Sequence, residues 1–430
     1  MQRLRKANDG LIGELRGPSD KSITHRALIL GALAKGQTII KNPLMSADIT
    51  STMNALRPLG VDFNVDSYGT IYVDSPGMDN FKRPENLVLD MGNSGTSTRL
   101  LVGVFAGLNL PVTIVGDSSL SMRPMQRVIN PLTALGAEIQ SIDGHLPLKI
   151  VRGIQHQPIN FVLPLGSAQV KNAVLLAGLV AGVTTTITDS FGTRDHTEQM
   201  LPDFGITVKR EGDTFRIPGG QIIHITELEV PADISAAAFW LISGMIVPKS
   251  VIKLEKVNIN KTRAGILKAI HQMGAKFKLE KLVAAEPMAN IIIRYQKKLK
   301  AINIGSNEVP SMIDELPIIA LAATQANGKT IISGAQELAV KETNRITTVT
   351  NELLKLGADI TATKDGFIIN GPTKLVVKRP TIVNGHGDHR IAMMLGIAAL
   401  ITDGEVNLAD PDSVGISYPT FFEDLEHFMK

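Results

Sequence analysis

Two hydrophobic–polar patterns alternate along this chain. In the first, a run of small apolar residues stops at a turn and gives way to a β-branched segment. It occurs as ALAKGQTIIKN (32–42), AGLNLPVTIVG (106–116), AGLVAGVTTTITD (177–189), SGMIVPKSVIKLE (243–255), AATQANGKTIISG (322–334) and AALITDGEVNLAD (398–410). Each reads as the end of a helix, a turn and a strand. In the second pattern a helix stops at a Leu-Gly-like pair before another strand: Leu59-Gly60-Val61, Leu135-Gly136-Ala137, Phe204-Gly205-Ile206, Met273-Gly274-Ala275 and Leu356-Gly357-Ala358. Each Gly fits the position just past a helix end, where a left-handed backbone excludes most side chains. Successive copies lie roughly 65–85 residues apart, longer than the usual solenoid repeat. The fold class is therefore α/β, built from six βαβαββ-like modules that divide into two groups of three. The sixth is short, because after Asn407-Leu408 the chain ends in a helical segment at 418–429.

The helices at 172–183 and 235–246 are apolar on more than one face, which predicts burial inside each domain. A domain boundary is expected at Val230-Pro231-Ala232-Asp233, where Pro interrupts before a new helix. The segment 100–116 is broken by Gly107, Asn109 and Pro111, so it reads as helix, turn and strand rather than a membrane span. Composition agrees: 430 residues exceed one ordinary core, and 44% hydrophobic with 20% charged residues is a globular profile. A net charge of +3 gives no field for non-specific nucleic-acid binding. Aromatic residues make up only 4%, with one Trp, which disfavours base stacking. Cys is absent, which excludes disulfides and thiol chemistry and accords with a reducing cytosol. The start, MQRLRKANDG, lacks the apolar stretch of a secretory leader.

Charge and hydroxyls gather at the element junctions instead. In Ser19-Asp20-Lys21-Ser22-Ile23-Thr24-His25-Arg26, Ser19 or Asp20 suits an N-cap, which puts Lys21, Ser22 and Arg26 in the first turns of a helix. Free backbone N–H groups, the helix dipole and fixed positive charge there all favour an anion, although the segment read alone is also a capped surface helix. Residues 90–99, DMGNSGTSTR, open another helix with a Gly-rich turn that lacks P-loop spacing. Arg123 precedes Pro124 at a helix start, and Gly166–Lys171 and Thr193–Glu198 each precede a helix, the former long and apolar and the latter expected to be the same. Asp314 and Glu315 stand at a further helix start, where N-capping is the simplest reading. Val340–Arg345 and Gly387–Arg390 complete the set. His25, His196 and His389 lack zinc-site spacing, so no metal is assigned. The inventory of Lys21, Arg26, Arg123, Arg194, Lys341, Arg345 and Arg390, with few carboxylates, suits a substrate bearing phosphates and carboxylates.

Taken in order, DKS-x3-R (20–26), GNSGTSTR (92–99), MRPM (122–125), SAQVK (167–171), RDHTE (194–198), DELP (314–317), VKE-x2-R (340–345) and GDHR (387–390) resemble the 3-phosphoshikimate 1-carboxyvinyltransferase family of enolpyruvyl transferases over the whole length. The resemblance implies two similar domains, each of three βαβαββ repeats around buried parallel helices, an inside-out α/β barrel. It assigns 1–19 with 234–430 to one domain and 20–233 to the other, with the active site in the cleft between them. The implied reaction moves the carboxyvinyl group of phosphoenolpyruvate to the 5-hydroxyl of 3-phosphoshikimate, with no cofactor. The residues resembling the shikimate-phosphate pocket are Lys21, Ser22, Arg26, Ser167, Ala168, Gln169, Arg194, Asp314 and Lys341. Those resembling the phosphoenolpyruvate pocket are Lys21, Asn93, Gly95, Arg123, Gln169, Arg345 and Arg390. Asp314, Lys21 and Glu342 are the implied catalytic groups. A cytoplasmic monomer acting on small anions, without nucleic-acid or membrane partners, is the expected setting.

Two positions depart from the family pattern. Gly415-Ile416-Ser417-Tyr418-Pro419 lacks a Lys that some members carry, and Asn344 replaces the usual Asp before Arg345. SAQ-x-K and R-x-H-x-E resemble the less glyphosate-sensitive branch, whereas Gly95 is the small residue of sensitive pockets. The sister UDP-N-acetylglucosamine 1-carboxyvinyltransferases usually carry a loop Cys and Lys-Asn where this chain has Lys21-Ser22, and zero Cys counts against that alternative.

Overall fold

A computed structural model describes residues 1–284 and 286–429. The chain divides into two compact units, Ser19–Pro231 and Met1–Pro18 with Ala232–Lys430. Each unit ties its own chain ends together. Asp20 N–H donates to Pro231 O at 2.8 Å in one unit, and Asp233 N–H donates to Pro18 O at 2.8 Å in the other. Both aspartates then cap helices, with their carboxylates accepting from Ile23 N (3.0 Å) and Ser235 N (2.9 Å).

The Ser19–Pro231 unit holds three open four-stranded sheets. In each, a parallel pair is extended by an antiparallel hairpin. Val88–Asp90 runs parallel to Val112–Val115, which pairs with His145–Arg152 and through it Glu138–Ile142. Ile159–Val162, Thr185–Thr188, Thr214–Ile217 and Lys209–Glu211 repeat the arrangement. In the remaining sheet the first strand comes from the far end of the unit, where Glu227–Glu229 lies parallel to Lys35–Lys41. The helices Lys21–Leu33, Gly95–Gly107 and Ala168–Val180 form the buried centre. Small residues let two of them touch backbone to backbone. A Cβ at Gly103 would meet Ala173 O at 2.2 Å, and one at Gly107 would meet Ala177 O at 2.3 Å.

The other unit repeats the scheme, with two of its three modules completed from the N-terminal segment. Ile12–Leu15 supplies the parallel strand for Val251–Asn258, and Gln2–Leu4 pairs antiparallel with Val406–Leu408. The latter contact explains why the shortened sixth module still forms a sheet of three strands. The central helices here are Ile234–Ile246, Leu316–Ala323 and His389–Ala399. The lone Trp240 is fully buried and donates its indole N–H to Tyr418 Oη at 3.1 Å. Its ring packs on Phe421 and Phe428, with centroids 5.4 and 4.9 Å away, which docks the C-terminal helix Phe421–Phe428.

The five glycines expected past helix ends, at 60, 136, 205, 274 and 357, have φ of 93°, 98°, 76°, 92° and 89°. The segment after Thr193 differs from expectation. It forms only the short helix His196–Met200 and a following turn at Leu201–Phe204, because Pro202 cannot extend the helical ladder. None of the six sheets closes on itself among the described residues. No helix among them is long and apolar enough to cross a membrane.

The backbone contact at Gly103 makes a test of this packing. Gly103→Val should cost about 2–3 kcal/mol or more, as overpacking does where backbone cannot yield. A chemical-denaturation midpoint equal to that of the unsubstituted chain would contradict the close approach.

Candidate active site

In the Ser19–Pro231 unit, three helix starts carry the polar motifs. Lys21 opens its helix half-exposed and pairs with Asp48 at the start of Ala47–Leu56. Arg26, one turn later, is buried; its Nε donates to Thr197 Oγ1 and its Nη1 to Ser22 O, both at 2.8 Å. The hydroxyl of Ser94 caps the Gly95–Gly107 helix. Arg123 donates to Asn93 Oδ1 at 2.5 Å, and Asn93 Nδ2 in turn donates to Asp117 at 2.8 Å. Gln169 Oε1 accepts from Arg99 Nη1 at 3.1 Å. A Cβ at Gly95 would lie 2.8 Å from Arg99 Nη1 and 3.3 Å from Arg123 Nη1, so glycine leaves room for two guanidinium groups beside a helix N-terminus. Burial, then Arg127 and Arg123, push the Arg99 guanidinium down to about 10. Ser167 caps the Ala168–Val180 helix, and Arg194 is half-buried in the loop before His196–Met200.

A hydroxyl chain links the Lys21–Leu33, Ala47–Leu56 and Gly95–Gly107 helices. His25 Nδ1 is 2.8 Å from Thr52 Oγ1, Thr52 is 2.5 Å from Ser97 Oγ, and Ser97 is 2.6 Å from Ser94 Oγ. Three helices, and with them Lys21 and the Asn93–Gly95 turn, are therefore held in one hydrogen-bonded register.

The other unit gathers charge around Asp314. Its carboxylate has Arg345 Nη1 at 3.4 Å, Lys341 Nζ at 3.7 Å, and Arg263 Nη1 and Arg390 Nη2 each at 4.0 Å. Arg345 is buried and gripped by two oxygens of Asp388, at 2.7 Å from Nε and 3.2 Å from Nη2. Glu342 accepts from its Nη2 at 2.6 Å. Burial opposes the charge of Arg345, yet the bonds to Asp388 hold its pKa above the ordinary value. Glu315 is buried beneath this cluster, accepts from the Ser235 hydroxyl, and has its pKa raised by burial against the pull of Arg263 and Arg390.

The simple N-capping reading of Asp314 and Glu315 does not hold: neither carboxylate caps the Leu316–Ala323 helix, and both face arginines. Asn344 caps the Arg345–Lys355 helix through Thr347 N at 3.2 Å, so the amide keeps the capping bond that an Asp would make. Ile416 is 68% exposed and offers no cation. Within the Ser19–Pro231 unit the structure brings Asn93, Gly95, Arg123 and Gln169 together; Lys21, Ser22 and Arg26 share one helix start, Ser167 and Ala168 begin another, and Arg194 stands on its own loop. Within the other unit it brings Asp314, Lys341, Glu342, Arg345 and Arg390 together. Asp48, Arg99, Arg263 and Asp388 were not singled out from the sequence. Asp388 and Arg99 lay inside noted motifs, and Arg263 is a basic residue in the loop before the helix Gly265–Gln272. Among the described residues no His, Asp or Glu group is arranged to hold a metal ion.

Comparison with known proteins gives one consistent answer. The family model for EPSP synthase (3-phosphoshikimate 1-carboxyvinyltransferase) matches residues 6–425. The chain is 47% identical over 430 residues, covering 99% of both sequences, to the 3-phosphoshikimate 1-carboxyvinyltransferase of Bacillus cereus (strain ZK / E33L). A solved EPSP synthase from Acinetobacter baumannii superposes with a TM-score of 0.91 at 38% identity, covering 100% of this chain and 98% of that one. The enolpyruvyl transferase NikO from Streptomyces tendae shares the fold, with a TM-score of 0.76 at 18% identity, covering 99% of this chain and 97% of that one.

Two of the buried histidines, His25 and His389, make the folded chain acid-sensitive. Burial, then Lys21 and Arg26, lower His25 to about 3, and burial, then Arg390, lower His389 to about 4. The folded state thus binds fewer protons than the unfolded one below the ordinary histidine value. The stability these groups contribute is intact above about pH 6.5 and drains away as pH falls towards 4 and then 3. His25→Gln should therefore lose less stability between about pH 7 and pH 4.5 than the unsubstituted chain. Equal losses in denaturant titrations at the two pH values would clear His25 of this role.

Proposed function

The chain belongs to the EPSP synthase family, and from that premise we propose how its side chains divide the work. It is a transferase that moves the carboxyvinyl group of phosphoenolpyruvate to the 5-hydroxyl of 3-phosphoshikimate, releasing phosphate, in the shikimate pathway to aromatic compounds. The UDP-sugar alternative is not favoured: the full-length relative carries the shikimate name, and the chain has no Cys.

The observation that carries the assignment is the ring of Lys341, Arg345, Arg263 and Arg390 around Asp314. Four cations face the carboxylate, and an ionised carboxylate is the form needed to accept a proton from the attacking hydroxyl. Arginine and lysine side chains are the donors that suit the phosphate and carboxylate groups of the substrates. Lys341 joins Lys21, Ser22, Arg26, Ser167, Ala168, Gln169, Arg194 and Asp314 in binding 3-phosphoshikimate. Lys21, Asn93, Gly95, Arg123, Gln169, Arg345 and Arg390 bind phosphoenolpyruvate. A cytosolic monomer is the working form in this reading.

The chemistry needs a proton at the vinyl CH2, attack of the hydroxyl on the adjacent carbon, and loss of phosphate as the methyl proton leaves. Lys21 and Glu342 handle the carbon-bound proton, and Asp314 takes the proton of the hydroxyl. Arg123, Arg345 and Arg390 stabilise the anionic charge that shifts onto the departing phosphate.

Phosphate release should require both substrates together. Asp314→Asn should lower kcat by about a hundredfold or more, since general-base catalysis contributes about 10² to 10⁴; near-normal turnover would remove Asp314 from the chemistry. Arg123→Ala should chiefly raise the KM for phosphoenolpyruvate, because truncating one partner of a desolvated ion pair costs about 2–5 kcal/mol. An unchanged phosphoenolpyruvate saturation curve would place Arg123 elsewhere.

A further inference from the structure

The division of roles above leaves one fully buried charge cluster without a task. Lys171 lies in the second turn of the Ala168–Val180 helix with no exposed surface. Its ammonium is 3.0 Å from Asp189 Oδ2 and 2.8 Å from Glu198 Oε1, and it donates to Thr193 O at 3.4 Å. It also sits 5.2 Å from the ring centre of Phe215. Burying an ion cluster is expensive, and apolar residues of similar size often replace one without loss of stability. Burial pushes the Glu198 carboxyl up against the pull of Lys171, so stability alone is a poor reason for burying an ammonium between two carboxyl groups.

What the cluster does have is reach. Asp189 accepts from Phe191 N (3.1 Å), Thr193 N (3.0 Å) and Thr193 Oγ1 (2.6 Å), which fixes the loop that ends at Arg194. Burial works against the ionised form of Asp189, but Thr193 and Lys171 hold its carboxyl below the ordinary range. Glu198 belongs to His196–Met200, next to Thr197, whose hydroxyl accepts from Arg26 Nε at 2.8 Å. Lys171 itself follows Ser167-Ala168-Gln169 by one turn. The final residues of SAQ-x-K and R-x-H-x-E, read as separate motifs, are one ion pair.

We propose that Lys171 is a positioning residue for 3-phosphoshikimate: by pairing Asp189 and Glu198 at once, it sets Arg194 and Arg26 in register with the Ser167–Gln169 helix start. The proposal rests on the substrate assignment given above. Lys171 touches neither substrate and acts through the loop and the short helix.

The test is steady-state kinetics of full-length Lys171→Met, Glu198→Gln and Arg194→Ala, plus the Lys171→Met/Arg194→Ala pair, with each substrate varied in turn. Lys171→Met should raise the KM for 3-phosphoshikimate about tenfold and leave that for phosphoenolpyruvate within about twofold, the range of coupled neighbours. Glu198→Gln, in which Asp189 still holds the ammonium, should move the same constant by less; should Lys171→Met fail to fold, Glu198→Gln carries the test. Arg194→Ala should cost less in the Lys171→Met background than alone. Lys171→Met and Arg194→Ala effects that simply multiply, equal changes in both KM values, or a change confined to the melting temperature would each overturn the proposal. If Arg194→Ala alone leaves the 3-phosphoshikimate KM unmoved, the substrate assignment itself fails. If only the Lys171 and Glu198 variants are silent, the assignment survives and the positioning role does not.

Discussion

A buried apolar helix has to satisfy its first backbone N–H groups, and much of this molecule follows from that constraint. Five of the six central helices meet it with a short polar side chain: Asp20, Ser94, Ser167, Asp233 and Asp388 each accept a backbone N–H. In five of the six modules that start lies along the chain between the two parallel strands; for Lys21–Leu33 the partner strand, Glu227–Glu229, comes from the far end of the unit. Partial positive charge gathers at these starts, and the sequence adds Lys and Arg to it. Binding chemistry is thus a by-product of how each module closes its core.

Acidic residues mainly discipline the cations. Asp388 clamps Arg345, Asp48 faces Lys21, and Asp189 with Glu198 encloses Lys171. Such pairing reconciles a net charge of only +3 with concentrated local positive charge. Arg99 is held by neutral groups instead, Gln169 and the carbonyls of Gly95 and Pro124.

The modular plan was legible because it rests on local rules. A left-handed backbone after a helix favours Gly wherever it occurs, and five such positions follow the rule. Helix-start motifs were legible for the same reason, as caps and charges lie close together in sequence. Arg263 and Asp48 were not, because they matter through Asp314 and Lys21, at sequence distances where pattern carries no signal. The strand exchanges, with Gln2–Leu4 and Ile12–Leu15 completing distant sheets, were hidden likewise. The short His196–Met200 helix shows the opposite failure, in which a motif resembling the others preceded a Pro that allowed only one turn.

The pairing of Gln2–Leu4 with Val406–Leu408 bears on how the chain leaves the ribosome. Gln2–Leu4 waits for a strand far along the sequence, and Ile12–Leu15 waits for Val251–Asn258. The Ser19–Pro231 unit has no such debt, since all its strands are made in one continuous stretch. It can therefore fold during synthesis, while the opening residues stay unpaired until nearly the whole chain has emerged. A ribosome stalled near the end would hold one finished unit and one open sheet edge.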